Sequence, residues 1–75
     1  MKQLSELEVG TLFVWKDHLY CVKNETVNKN DELLKINCNV VAAYGEKRWI
    51  FCKESEISFN PYCDVQPVKI VLENI

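Results

Sequence analysis

Residues 39–52, "NVVAAYGEKRWIFC", read as a β-hairpin that has apolar side chains on both of its faces. Gly45-Glu46 supplies a two-residue turn with glycine at the first central position, which fits a type II′ turn. This turn pairs Ala42 with Trp49, and the small alanine leaves room for the indole ring. The stretch therefore predicts a sheet, and it raises the question of which face of the hairpin the protein buries.

The two faces of this hairpin differ in composition. The face with the bulkiest apolar residues holds Val40, Trp49 and Phe51, and we assign it to the core because residues two apart on a strand share a face. The apolar side chains left on second faces need a cover: Leu12, Val14, Val41 and Ile50. The cover is either another protein chain or the chain's own termini, through Leu4, Leu7, Val71 and Ile75.

An earlier hairpin is predicted from residues 11–16, "TLFVWK", and 19–23, "LYCVK", because β-branched and aromatic residues dominate both stretches. Asp17-His18 is the predicted turn between them. With this turn one face carries two cross-strand pairs: Trp15 with Tyr20 and Phe13 with Val22. These four residues share one face, and the register is open by one residue because Asp-His is not a favoured hairpin turn.

Polar stretches separate the remaining strands. Residues 24–31 contain three asparagines and are predicted to be the longest loop. The segment that follows reads as a strand, although Leu33-Leu34 could begin a helix. Residues 53–64 form a second long loop, with at most a short strand near 57–59. Pro67 lacks an N–H group, so the last strand is expected at a sheet edge or beyond this residue.

These signals predict a single domain spanning residues 1–75. Ser5 and Glu8 have the spacing of a capping box and Gly10 follows, which indicates a short N-terminal helical turn. About five short strands with little helix favour an all-β fold, a small, partly open five-stranded barrel of the SH3-like or Tudor-like kind, because closure removes exposed sheet edges. The predicted core is Phe13, Tyr20, Val22, Val40, Trp49, Phe51 and Val68.

Composition narrows the class of protein. Apolar residues make up 48% of the chain, which argues against disorder, and the net charge of -2 gives no attraction to nucleic acid or anionic membranes. No apolar run approaches the length of a membrane span. The N-terminal residues are acidic and mixed where a signal peptide would be basic and then apolar. We therefore expect a cytoplasmic protein.

The four cysteines and the single histidine form no catalytic or metal-binding motif, so we predict no catalytic residue, no metal site and no cofactor. The four cysteines include no C-x-x-C pair, so a zinc site is disfavoured and buried free thiols are favoured. Their even number leaves two disulfides open as an alternative. His18 is the only histidine and lies in a predicted turn without a nucleophile beside it, which indicates an exposed turn residue rather than a general base.

The candidate binding residues are of the types that dominate protein interfaces. Tyr44 and Arg48 flank the predicted hairpin tip, and Tyr62 lies in the second long loop beside Phe59. Phe59 alone is better explained as a plug for one end of the barrel. The predicted binding set is Tyr44, Arg48 and Tyr62, with Val41 and Ile50 as apolar filling.

One alternative function comes from Lys47-Arg48-Trp49, which has the basic and aromatic pairing used to bind single-stranded nucleic acid. The expected burial of Trp49 and the neighbouring glutamates argue against it.

Turn and core residues over most of the chain form one pattern: Val9-Gly10-Thr11-x-Phe13, Tyr20-x-Val22, Asn39, Gly45-Glu46, Phe51 and Val65-x-Pro67-Val68. In this pattern the chain resembles a group of small, uncharacterised phage-encoded proteins. The chain departs from the group at Asp17-His18, where glycine is usual, and around residues 59–62. The resemblance implies a phage-type accessory protein in a bacterial host cytoplasm, which acts by binding a host protein or itself. A homo-oligomeric structural protein is a further alternative.

Overall fold

The computed structural model describes residues 1–53 and 55–69, and these ranges form an all-β structure without an α-helix. A 3-10 turn at Leu4–Glu6 is the short helical turn expected from the sequence. No side chain caps this turn, so the predicted capping box does not form. The strands are β1 (Lys2–Gln3), β2 (Leu12–Trp15), β3 (His18–Val27), β4 (Leu33–Gly45), β5 (Arg48–Phe51), β6 (Glu56–Phe59) and β7 (Asp64–Val68).

All strand pairings are antiparallel, and the sheet order is β1-β7-β2-β3-β4-β5. The strand β4 pairs with β3 on one side, and on its other side it pairs with β6 near its beginning and β5 near its end. Within the described ranges no pairing joins β5 to β1, so the sheet is open. The all-β prediction is confirmed, although the described residues form seven strands where about five were expected; the partly open, SH3-like barrel stays a prediction.

The sheet curls so that β6 packs over β2 and β3. Three strand spacings separate β6 from β2 along the sheet, about 14 Å if it were flat. Yet the ring of Phe59 lies 5.7 Å from that of Phe13, 5.3 Å from that of Trp15 and 4.9 Å from that of Tyr20, measured between centroids. The core formed in this way is Leu4, Phe13, Tyr20, Val22, Ile36, Cys38, Phe59 and Val65. The predictions for Phe13, Tyr20 and Val22 are confirmed, and Val40 packs against the cluster.

Both predicted hairpin turns are displaced by one residue. The first turn is centred on Lys16 and Asp17 and the second on Glu46 and Lys47, all four with positive φ as a type I′ turn requires. The glycine that suggested the second turn, Gly45, is instead the last residue of β4. When a turn moves by one residue, each residue pairs with a partner two positions away from the predicted one, so each side chain keeps its predicted face.

A β-bulge at Val41 makes the predicted core wrong at Trp49 and Phe51. Tyr20 pairs with Val40 but Leu19 pairs with Ala42, so Val41 has no direct partner and the inside-outside alternation of β4 reverses there. Ala42 and the β5 residues aligned with it therefore lie on the face opposite the core. Trp49 is 43% exposed and Phe51 is 82% exposed.

The N- and C-terminal segments also differ from expectation. Leu4 is fully buried in the core and its N–H donates to the Cys63 carbonyl at 2.9 Å, so it does not cover the second face. The strand β7 lies between β1 and β2, although β1 pairs only with Asp64 and Val65 and thus leaves Pro67 beyond its reach. Val68 is half-buried opposite Leu12, outside the core cluster.

Half of the predicted loop 24–31 is strand, because β3 continues to Val27. The connection to β4 is closed by Asn28, whose side-chain oxygen accepts hydrogen bonds from the N–H groups of Asn30 at 2.8 Å and Glu32 at 3.0 Å. Such local bonding to the backbone is why asparagine favours turns. Leu33-Leu34 begins a strand and not a helix.

All four cysteines are free thiols, and Cys38 differs from the others because it is fully buried. Burial raises the pKa of the Cys38 thiol to about 12, with a smaller effect from the nearby Cys21. The reactive thiolate is therefore almost absent from Cys38 at neutral pH.

We predict that thiol reagents label the native protein at Cys21, Cys52 and Cys63, whereas Cys38 reacts only after unfolding. Mass spectrometry of protein labelled at pH 8 with and without urea measures this difference. Rapid labelling of native Cys38 would contradict its full burial in the core cluster.

We predict that Phe59→Ala lowers the free energy of unfolding by about 3–5 kcal/mol, because it removes the ring that joins β6 to β2 and β3. Phe59→Leu keeps most of the volume and should cost less than about 1.5 kcal/mol. The exposed Tyr62 provides a control, since Tyr62→Ala should change stability by no more than about 0.5 kcal/mol. Urea unfolding followed by circular dichroism measures all three, and equal losses for Phe59→Ala and Tyr62→Ala would contradict the core.

Candidate functional site

The face of the sheet opposite the core carries an apolar depression of about 340 Å³. We call it the apolar groove and define it by its lining residues: Val14, Leu19, Ala42, Trp49, Phe51, Val68 and Lys69. Lys69 is the one ionisable side chain in this lining. The groove is thus almost wholly apolar and open to solvent.

The floor of the apolar groove is a row of aligned residues on neighbouring strands. Val14 of β2 pairs with Leu19 of β3, Leu19 with Ala42 of β4, and Ala42 with Phe51 of β5. Aligned residues share a face, so all four side chains point to the same side. Leu19 and Ala42 are buried, and the small side chain of Ala42 makes the floor low between the bulkier residues on either side.

Aromatic residues form the wall of the apolar groove along β5. Trp49 pairs with Tyr44, and their rings meet edge to face at 5.2 Å between centroids. Phe51 projects furthest, with most of its ring in water. Leaving a phenylalanine side chain exposed forgoes roughly 1.5–3 kcal/mol of burial. A cluster of exposed aromatic residues around an apolar depression is a feature of surfaces that bind another molecule.

The structure divides the five predicted binding residues between four places. Tyr44 lies at the apolar groove, half-exposed against Trp49. Arg48 and Ile50 are exposed on the other face of β5, because neighbouring residues on a strand alternate. Val41 is at the bulge, where its carbonyl accepts a 2.9 Å hydrogen bond from the N–H of Cys52.

Tyr62 is exposed in the turn between β6 and β7, apart from the other predicted residues. The end of β6, Phe59, pairs with Ile36, which precedes Gly45 by roughly 30 Å of extended strand. The hairpin tip and the Tyr62 turn therefore belong to separate surfaces.

Sequence reasoning did not identify Leu19, Ala42 and Val68 as groove residues. It also missed the exposure of Trp49 and Phe51. Leu12 and Val14 had given the relevant signal, since their strand has apolar residues on both faces. Leu4 and Leu7 were expected to cover that second face. Instead, Leu4 belongs to the core cluster and Leu7 packs against it. Val71 and Ile75 lie outside the described residues.

The hairpin segment that carries Trp49 and Phe51 also carries several cations, some on the groove side and Arg48 on the other face of β5. Lys47, Arg48 and Lys53 are exposed on β5 and its flanks, Lys69 lines the groove, and Glu46 is the one described acidic residue in the hairpin segment 44–53. The whole chain, in contrast, carries a net charge of -2. The described residues of this segment therefore carry more positive than negative charge.

The other chemistry-bearing residues do not assemble near the apolar groove. His18 is half-exposed and its Nδ1 lies 3.0 Å from the carbonyl oxygen of Lys16. Among residues 1–53 and 55–69, no group of three histidine, cysteine or acidic side chains is placed to hold a metal ion. No helix in these ranges is long and apolar enough to cross a membrane.

No family model, curated protein or solved structure matches this chain. The function is therefore inferred from the apolar groove and its surroundings.

We predict that Phe51→Ser changes the free energy of unfolding by no more than about 0.5 kcal/mol, because the ring is mostly in water already. Leu19→Ala, in the buried floor of the same groove, should cost about 2–5 kcal/mol. Urea unfolding of the two variants measures the difference. A loss above about 1.5 kcal/mol for Phe51→Ser would mean that the ring is covered within the folded chain.

Proposed function

We propose that this chain is a phage-type accessory protein that acts as a protein-binding module rather than as an enzyme, and that it binds a host protein through the apolar groove. The observation that supports this most directly is the exposure of Trp49 and Phe51 at the edge of an apolar depression. The cost of holding these rings in water is recovered if a partner buries them.

The composition of the groove supports protein binding over binding of a polar metabolite. Tryptophan and tyrosine are enriched among the residues that dominate binding energy, and Trp49 and Tyr44 lie in contact here. A volume of about 340 Å³ is at the lower end for small-molecule sites and suits one or two inserted apolar side chains. Lys69 is the one charged residue of its lining, so the groove has few groups that could orient a polar ligand.

The finer fold proposal is a partly open SH3-like barrel. Its support is that β7 returns to pair with β2, that β2, β3 and β4 follow one another in the sheet, and that β6 curls over β2. We place the protein in the cytoplasm of its bacterial host, and four free thiols support such a reducing compartment.

Binding of single-stranded nucleic acid is a second candidate function. It is favoured by the exposure of Trp49 next to Lys47 and Arg48, which removes one objection raised by the sequence. Bases could stack on the exposed rings while the cations meet phosphates. The net charge of -2 and the apolar character of the groove weigh against it.

We predict that the immobilised protein retains a specific protein from a bacterial lysate at high salt, and that Phe51→Ser abolishes this retention. Ile50→Ser is the matched control, because Ile50 is an exposed apolar residue of the same strand on the opposite face. Tyr62→Ala tests the separate turn. Retention by the two controls but not by Phe51→Ser is expected, and the retained protein is then purified and its affinity measured.

Three results would count against the proposal. Retention of the same protein by Phe51→Ser would remove the groove from the binding site. Alternatively, affinity for a single-stranded oligonucleotide that falls steeply with salt and with Arg48→Ala would favour the nucleic-acid function. Light scattering of the free protein completes the set, since a dimer mass would favour a homo-oligomeric role.

A further inference from the structure

The two ends of the sheet are protected differently. At one end β1 has two residues, both polar, and the neighbouring β7 carries Pro67. At the other end β5 contains the consecutive apolar residues Trp49, Ile50 and Phe51 and no proline. Within the described ranges β5 pairs with β4 alone, so its outer N–H and C=O groups face away from the sheet. Short length, proline and charge are the usual protections of a sheet edge; this edge is short and has no proline, and its charges are Arg48 within the strand and Lys47 and Lys53 on its flanks.

The open edge of β5 adjoins the apolar groove. Trp49 and Phe51 point to the groove side of this strand. A strand added alongside β5 would lie about 4.8 Å away, and its side chains on that face would stand about 4.5–5.5 Å from the two rings. Alternate residues of the added strand would thus cover the aromatic wall, while its backbone would satisfy the outer groups of β5.

The charges beside β5 indicate what kind of strand fits. Lys47, Arg48 and Lys53 are exposed along the strand and its flanks, against the single described acid Glu46. A second copy would cover both rings only in the antiparallel register about Ile50, which pairs Trp49 of each copy with Phe51 of the other, and this register also sets Lys47 opposite Lys53. Like charges placed directly opposite are destabilising. Acidic residues at the same positions would be attracted, so the charge pattern favours a different, acidic chain over a second copy.

We infer that β5 accepts an extended segment of a partner protein as an added strand, with apolar side chains at alternate positions over the apolar groove and acidic side chains beside Lys47, Arg48 and Lys53. This inference rests on the proposed protein-binding function and names the form of the partner. Main-chain hydrogen bonds would give affinity, and the groove would give specificity for the alternate side chains.

The test uses a displayed library of random twelve-residue peptides, selected on the full-length protein. We expect enriched sequences with apolar residues at every second position and aspartate or glutamate on either side. A synthetic peptide of the enriched sequence is then bound in solution. Phe51→Ser should weaken binding by tenfold or more, whereas Tyr62→Ala, in the separate turn between β6 and β7, should weaken it by less than about twofold.

Methylation of the peptide's backbone nitrogens, one at a time, detects strand pairing without any change to the protein. In an antiparallel ladder only alternate N–H groups bond to the neighbouring strand. Methylation should therefore weaken binding by about tenfold at every second position and by less than about twofold between them. Hydrogen exchange should slow at the β5 amides when the peptide binds.

Several results would overturn the inference. Loss of binding with Phe51→Ser but no alternation on methylation, or enriched peptides with helical spacing, would leave a protein-binding groove without an added strand. Failure to enrich any peptide, or β5 amides already protected in the free monomer or in a dimer, would show that the edge takes no such segment. Peptide binding unaffected by Phe51→Ser would contradict both this inference and the proposed function.

Discussion

The arrangement of both faces of this protein depends on the bulge at Val41. Before it, the side chains of Ile36, Cys38 and Val40 point to the core, and after it Ala42 points to the opposite face. One strand, β4, therefore supplies the centre of the core and the floor of the apolar groove. A regular strand would have carried Ala42 into the core and, with it, the aromatic residues of β5.

The exposure of the groove follows from how few segments are available to cover the sheet. A chain of 75 residues buries a smaller fraction of its surface than a larger domain does. Here the covering segments pack on the first face: β6 places Phe59 on Phe13, and the 3-10 turn places Leu4 in the same cluster. Within the described residues, nothing comparable lies on the second face or over its aromatic wall. The uneven covering of the two faces supports the proposed binding role.

The sequence predicted the features that depend on alternation and missed those that depend on register. The all-β class and the burial of Phe13, Tyr20 and Val22 follow from side-chain period and strand propensity, and they survive because a turn displaced by one residue preserves every face. The bulge carries no such signal, since Val41 lies in a run of residues that suits a regular strand equally well. Assignment of Trp49 and Phe51 to the core failed for this reason. The candidate site was correspondingly found only in part, at Tyr44 on the edge of the groove.

The basic residues around β5 affect both whether copies of the protein pair with each other and which partner chain fits. An apolar edge strand without protection invites pairing between copies, and lysine at or near an edge is a common defence because it makes self-pairing bring like charges together. Lys47, Arg48 and Lys53 provide such a defence without covering Trp49 or Phe51. The repulsion acts against any strand of similar charge but turns into attraction for an acidic one. In the proposed strand addition, the same three cations would keep copies of the protein apart and attract an acidic chain, because specificity arises when one set of contacts disfavours the wrong partner.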